Sequence, residues 1–240
     1  MLAPPALRAE ISDNPLVDPT SHLYYAAGAF LAAHFVSSTP LRGTLVGAMG
    51  EKPYLGVYSL AAFATLGWMV WAYNRAPLEP LWEGLRLAPA IAMPFAFVLI
   101  ACGLLSINPT AVGAARHLMG QDPARGIIRV TRHPMMWGFM LWSGAHLLAR
   151  GELKSTVFFG TFLVLAAIGA LLIDRRKAQT LGADWKHFAD VTSYFPFGAI
   201  VGGRNRLAAA EIGWRNPAIG LALYAIFFWL HPLFFSARPY

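Results

Sequence analysis

Charge is what this sequence lacks most. Only 13% of its 240 residues are Asp, Glu, Lys or Arg, against roughly a quarter in an ordinary soluble domain. So small a stock cannot cover a surface facing water, which excludes a soluble globular enzyme. Intrinsic disorder needs the reverse balance, and the 57% hydrophobic content with mean hydropathy +0.49 excludes it too. Cysteine is nearly missing as well. Cys102 stands alone in an apolar run, so neither an internal disulfide nor a cysteine-rich zinc site can form. No His-x-x-His or His-Glu-x-x-His spacing, no Gly-x-Ser-x-Gly elbow and no phosphate-cradling loop occurs. Internal repeats and low-complexity tracts are absent, and the chain reads as a single membrane domain over 1–240.

What is there is a series of long apolar runs. Lipid offers no water to backbone N–H and C=O groups, so a spanning segment must be a helix of about 20 mostly apolar residues. Six stretches qualify: His22–Ser38, Tyr54–Tyr73, Leu87–Ile107, Pro134–Ala149, Ser155–Ile173 and Pro217–Phe235. The expected fold is all-α, a polytopic integral membrane helix bundle with about six transmembrane helices. Prolines at 40, 53, 77, 80, 109 and 217 punctuate the connections. The N-terminal stretch lacks the basic, apolar and small-residue order of a cleavable signal peptide, and is expected to be retained.

The net charge of +7 and pI of 9.9 follow from topology rather than nucleic acid, for which no motif is present. Thirteen of the 19 Lys and Arg fall in the connections 39–53, 108–133 and 174–216, which alternate to one side. The positive-inside rule makes that side cytoplasmic and both termini non-cytoplasmic. Within the 174–216 connection, Leu181, Trp185, Phe188 and Ala189 share one face of Asp174–Asp190. That pattern predicts an amphipathic helix on the cytoplasmic surface, or else an extension of the fifth span into water.

Ionisable groups inside a bilayer are expensive and mark function by default. His22, His117 and His187 read as surface residues, and His231 reaches the headgroups from the outer end of the last span. His34 (Ala-Ala-His-Phe-Val) and His146 (Gly-Ala-His-Leu-Leu) lie in apolar helices beside small residues that admit a bulky neighbour. A lone histidine of this kind is most simply a neutral ring hydrogen-bonded to a neighbouring helix. Two of them, on separate spans, fit a haem held edge-on, since haem needs only one or two axial imidazoles. His133 is the other candidate for the second ligand. It follows Arg129 and Arg132 in the polar segment 126–138 and precedes Pro134, a helix-starting proline. Arginine forks there can bind propionates, a nucleotide-like cofactor or lipid headgroups. The alternative is a cytoplasmic anchor, which is the preferred reading for Arg129. Asp174 and Asp184 have no evident partner.

Several short motifs recur in an order that resembles the NnrU family of bacterial membrane proteins. They are His34 with Ser37–Arg42, Gly50-Glu51-Lys52 with Tyr58-Ser59-Leu60, and Asn108-Pro109-Thr110. Asp122–Gly126, Thr131–Pro134, Ala145-His146-Leu147 and Asn205 follow, so that the resemblance covers 25–206. It implies the bacterial inner membrane and an association with nitrite and nitric oxide reduction. The family is in turn similar to the 15-cis-zeta-carotene isomerases, membrane proteins in which histidines hold haem b. That similarity implies His34 and His146 as axial ligands with His133 close by, haem b as cofactor, and a hydrophobic polyene or lipid-like substrate. Arg132, together with Arg42, would then neutralise the propionates. The Arg-His-Pro motif is also similar to that of membrane methyltransferases using S-adenosylmethionine. Those carry an acidic pair after the next helix, where this chain reads Asp174-Arg175-Arg176-Lys177.

Overall fold

A computed structural model of the chain describes residues 18–110 and 122–235. Arg8, Arg116, His117 and Arg238, which enter the sequence reading, lie outside them. Among the described residues the regular elements are helices, with one isolated antiparallel bridge between Pro80 and Glu152. In chain order they are α1 (Pro19–Phe35), α2 (Leu41–Met49), α3 (Glu51–Arg75), α4 (Leu87–Leu105), α5 (Pro134–Ala149), α6 (Leu153–Val191), α7 (Gly198–Val201), α8 (Ala209–Ile212) and α9 (Arg215–Phe235). Short 3₁₀ turns occupy Val36–Ser38 and Gly126–Arg129.

Each apolar run read from the sequence falls on one of these helices. Four of them, α3, α4, α6 and α9, are long and apolar enough to cross a membrane. α1 and α5 have 17 and 16 residues, about 24–26 Å at 1.5 Å per residue, short of a hydrocarbon core of about 30 Å. The outward side chains suit lipid: Leu60 and Phe63 on α3, Ile91 and Phe95 on α4, and Trp229 and Leu233 on α9 are 64–79% exposed.

The chain divides into two compact units. The first comprises residues up to Gly84 together with Arg150–Leu165. The Asp18 carboxylate accepts from the Ser21 N–H at 2.8 Å and Pro19 follows at the first helical position, so α1 starts where capping chemistry places it. Gly50, at φ +84°, ends α2 and lets α3 begin at the next residue. Leu23, Ala26, Ala27 and Phe30 recur at helical spacing and pack against Met69, Ala72 and Ala76, with Phe158 and Phe162 closing the cluster. His22 is not the surface residue expected. It is half-buried, edge-on to Trp68 at 6.2 Å and Trp71 at 5.5 Å. Lys154 covers the end of α3, donating to the Ala76 carbonyl at 3.2 Å.

The second unit comprises Leu85–Ala149 and the residues from Ala166 onward. Here α4 packs against both α5 and α9. Glycines make that approach possible. A Cβ on Gly138 would lie 2.8 Å from the Ala96 carbonyl oxygen, and one on Gly220 2.7 Å from the Val98 Cα. Close helix contact through small residues is the main packing device available in lipid.

Beyond its apolar run, α6 continues to Val191, broken at Gly182 by φ +53° and ψ −119°. Only glycine adopts that conformation readily. After the break, Trp185 and Phe188 are buried against Cys102, Ile127, Ile128 and Val130. The amphipathic segment read from 174–190 therefore has its apolar face covered by protein, not laid on lipid. Arg204 donates to the carbonyls of Asp190 at 2.6 Å and Thr192 at 3.0 Å, finishing the helix end.

Gly138→Leu and Gly220→Val are each expected to cost about 1–3 kcal/mol through forced separation of the helices. Gly144→Ala, with open space at its Cβ position, should leave stability unchanged or slightly raised. Unfolding titrations of the detergent-solubilised protein check all three.

Candidate functional site

Two histidines share one local geometry. In the last turn of α1 the His34 Nδ1 lies 2.7 Å from the Phe30 carbonyl oxygen. In the last turn of α5 the His146 Nδ1 lies 2.8 Å from the Trp142 carbonyl oxygen. A carbonyl only accepts, so each ring must carry its proton on Nδ1 and donate it four residues back along its own helix. In the neutral ring the lone pair is then on Nε2. Metal-ligating histidines are oriented this way, with the second nitrogen tied to a carbonyl or carboxylate. Both side chains are half-buried. His34 packs on the Phe30 ring at 4.2 Å and edge-on to Tyr58 at 6.0 Å, and His146 packs beside Trp142 at 5.6 Å. His34 belongs to the first unit and His146 to the second. This donor chemistry fits residues that would hold a haem. Among the described residues no group of three or more His, Cys, Asp and Glu could hold a bare metal ion.

His133 is arranged differently. Its Nε2 lies 2.6 Å from Asp174 Oδ1, while Arg132 Nε donates to Asp174 Oδ2 at 2.8 Å. One carboxylate on α6 thus holds both residues that precede α5. Their side chains are 1% (His133), 15% (Arg132) and 16% (Asp174) exposed, so the ring of His133 is closed off from a bulky ligand. The backbone around it is fastened as well. Arg132 N–H donates to the Ser193 carbonyl at 3.0 Å, Thr131 Oγ1 to the Tyr194 carbonyl at 2.7 Å, and Trp137 Nε1 to the same carbonyl at 2.8 Å. Asn108, read from the sequence as a helix stop and as part of the Asn108-Pro109-Thr110 motif, takes bonds from the N–H and hydroxyl of Thr110, both at 2.9 Å.

Arg129, read as a cytoplasmic anchor, is instead the buried hub of an ion cluster. It donates to both Glu211 oxygens at 2.8 and 2.9 Å, to Asp122 at 2.5 Å and to Asn205 at 2.7 Å. The Glu211 hydrogen bond holds the guanidinium above its ordinary pKa. Reciprocally, the Arg129 bonds and the Gly126 N–H hold Glu211 down to about 2. Gly126, at φ +59°, lets the turn approach the Glu211 backbone closely. Arg42, the last of the candidate residues, pairs with Glu51 at 2.7 Å near the surface and lies over the Tyr54 ring at 5.4 Å.

The structure therefore joins Arg132 and His133 through Asp174, and keeps His34, His146 and Arg42 in other surroundings. Asp174, Asp122 and Glu211 carry these clusters and gave no pairing signal in the sequence, because their partners are 7 to 82 residues away. The one available hint for Asp174 was its place at the polar end of an apolar run.

Membrane-length helices, two carbonyl-oriented histidines and a buried Arg-His-Asp cluster define an all-helical, membrane-type protein. The chain belongs to the NnrU family: the profile of the NnrU protein family matches residues 22–239. It is similar to the 15-cis-zeta-carotene isomerase of Arabidopsis thaliana chloroplasts, 42% identical over 85 residues, which is 34% of this chain and 22% of that protein. It is also similar to the Zea mays enzyme of the same name, 31% identical over 111 residues, 45% of this chain and 30% of that protein. The chain thus aligns with less than a third of either plant protein's length. No solved structure matches it significantly.

Breaking a buried ion pair from one side leaves an uncompensated charge, at about 3–5 kcal/mol. Asp174→Ala should lose that much, whereas Asp190→Ala, which removes an exposed pair with Lys186, should lose less than about 1 kcal/mol. Thermal unfolding in detergent separates the two. The Glu211 interaction has its own pH signature. A carboxyl with a folded pKa of about 2, against its ordinary 4.5, contributes stability that is full above about 4.5 and is lost as pH falls through 2. The stability gap between wild type and Glu211→Gln should be constant at neutral pH and close over that window.

Proposed function

We propose that this chain is a haem b-binding membrane protein that acts on a hydrophobic polyene by isomerase-type chemistry, and that His34 and His146 would hold the haem. The observation that carries the reading is the matched Nδ1–H to carbonyl bond at 2.7 and 2.8 Å, which gives both rings a basic Nε2 and a fixed orientation. His146 is preferred to His133 as the second ligand because the His133 ring is fully buried beside Asp174, whereas the His146 ring is half-buried with its Nδ1 tied to its own helix. The names of the plant relatives supply the substrate class. Apolar outward surfaces on α3, α4 and α9 suit a substrate that arrives through the bilayer.

Bound haem would supply an iron centre whose oxidation state governs Lewis-acid or redox chemistry at a conjugated double bond. The protein's part is to orient the imidazoles and exclude water. Phe30 and Tyr58 flank one ring and Trp142 the other. For the propionates, Arg42 is the better of the two arginines. Its pair with Glu51 is exposed and such pairs are weak, so one carboxylate can replace another. Arg132 would have to give up a buried partner. In this reading α1, lengthened by the Val36–Ser38 turn, and α5 complete six spans in a bacterial inner membrane, with both termini non-cytoplasmic.

Absorption spectra of the detergent-purified protein, oxidised and reduced, test the proposal. Wild type should show the bands of six-coordinate haem b. His34→Ala and His146→Ala should each shift them, and His133→Ala should leave the ligand bands in place. A protein without haem bands that binds S-adenosylmethionine would overturn the reading, as would ligand bands unchanged in both helix variants.

A further inference from the structure

In the second unit, the connection after α6 returns to the lipid boundary carrying apolar side chains that the fold leaves uncovered. The Tyr194 hydroxyl donates to the Ala167 carbonyl at 3.1 Å. Ala167 lies six residues inside the apolar run that ends at Ile173, about 9 Å along the helix at 1.5 Å per residue. In the first turn of α5, Trp137 Nε1 donates to the Tyr194 carbonyl at 2.8 Å, and its ring meets that of Phe195 at 5.8 Å. Residues 194–197 are therefore held level with the ends of two apolar helices rather than out in water. Here Phe195 is 66% exposed, Phe197 48% and Val201, which ends α7, 86%. Phe197 is also the one non-glycine residue at positive φ among the described residues, at +64°, with its N–H donating to the Val130 carbonyl at 2.7 Å. A bulky residue in that region is strained, and a half-open ring gains little core packing in return.

The charges that accompany these side chains have one sign. Residues 191–216 hold Arg204, Arg206 and Arg215 against a single carboxylate, Glu211, and Arg129 already takes both oxygens of that one. Arg204 is turned onto backbone carbonyls. Arg206 and Arg215 are exposed, and neither enters an ion pair among the described residues. We infer that residues 195–215 form a foot in the lipid interface, where Phe195, Phe197 and Val201 enter the boundary of headgroups and acyl chains and Arg206 and Arg215 hold the phosphates of anionic lipids. Apolar side chains set beside cations are what lies stably at that depth. Guanidinium forks bind phosphate bidentately, and a cation near an anionic surface gains an attraction that a zwitterionic surface does not offer. A soluble protein partner would meet the same cations, but the depth set by the Tyr194 bond favours lipid. The inference needs neither haem nor its histidines.

Two measurements on the full-length protein test it. The first places a nitroxide on Val201→Cys in nanodiscs of phosphatidylglycerol and phosphatidylcholine, where the native Cys102 is buried and stays unlabelled. The label should collide more with oxygen, which concentrates in lipid, than with a water-soluble nickel chelate. The second counts the lipids retained by the detergent-purified protein in native mass spectra. Wild type should hold phosphatidylglycerol in preference to phosphatidylcholine, and Arg206→Gln with Arg215→Gln should weaken that preference about tenfold. Both arginines are exposed, so the double variant should fold as wild type does. A label reached more readily by nickel than by oxygen would overturn the inference and leave the face to a protein partner. So would equal retention of the two lipids by wild type, or a preference that the double variant keeps.

Discussion

A polar group taken out of water must find its partner inside the protein, and the organisation of this chain depends on that constraint. Charges are few, and several of the buried ones have identifiable partners. The two helix histidines meet the constraint within a single turn, donating to the carbonyl four residues back. Arg132 and His133 meet it by sharing Asp174. Arg129 meets it with two carboxylates and an amide.

These solutions have different structural reach. A histidine bonded to its own helix has its Nδ1 proton and ring orientation set locally. The arginine clusters, by contrast, bring distant segments together. Asp174 on α6 fixes the start of α5, and Glu211 on α8 fixes the 126–129 turn ahead of it. Backbone bonds from Arg132 and Phe197 to Ser193 and Val130 run alongside the first of these clamps. The Arg-His-Pro segment is accordingly a rigid junction in the second unit. Its polar groups hold the start of α5 to α6.

The apolar runs were legible in the sequence because lipid imposes length and composition directly. α5 begins and ends at the expected residues, Pro134 and Ala149, since a proline starts it. The extent of α6 was legible only as an alternative, the extension of the fifth span. Hydropathy registers where lipid ends, at Ile173, whereas the helix goes on to Val191 with a turn at Gly182 that no local pattern announces. His34 and His146 stood out as ionisable residues in apolar surroundings, and their tautomers follow from helix geometry alone. The carboxylates that hold Arg129, Arg132 and His133 were hidden for the opposite reason. A cation in a connecting segment looks the same to a sequence reading whether it anchors to headgroups or pairs with an acid far along the chain.

The central proposal is that His34 and His146, each with its Nδ1 tied to its own helix, would hold haem. Electron paramagnetic resonance of the oxidised protein reads that ligation directly. Wild type should give a low-spin ferric signal. His34→Gly and His146→Gly should each convert it to high spin, and added imidazole, filling the vacated position, should restore the low-spin signal in both. A wild-type spectrum that is high-spin, or a low-spin signal that survives both substitutions without imidazole, would contradict the account.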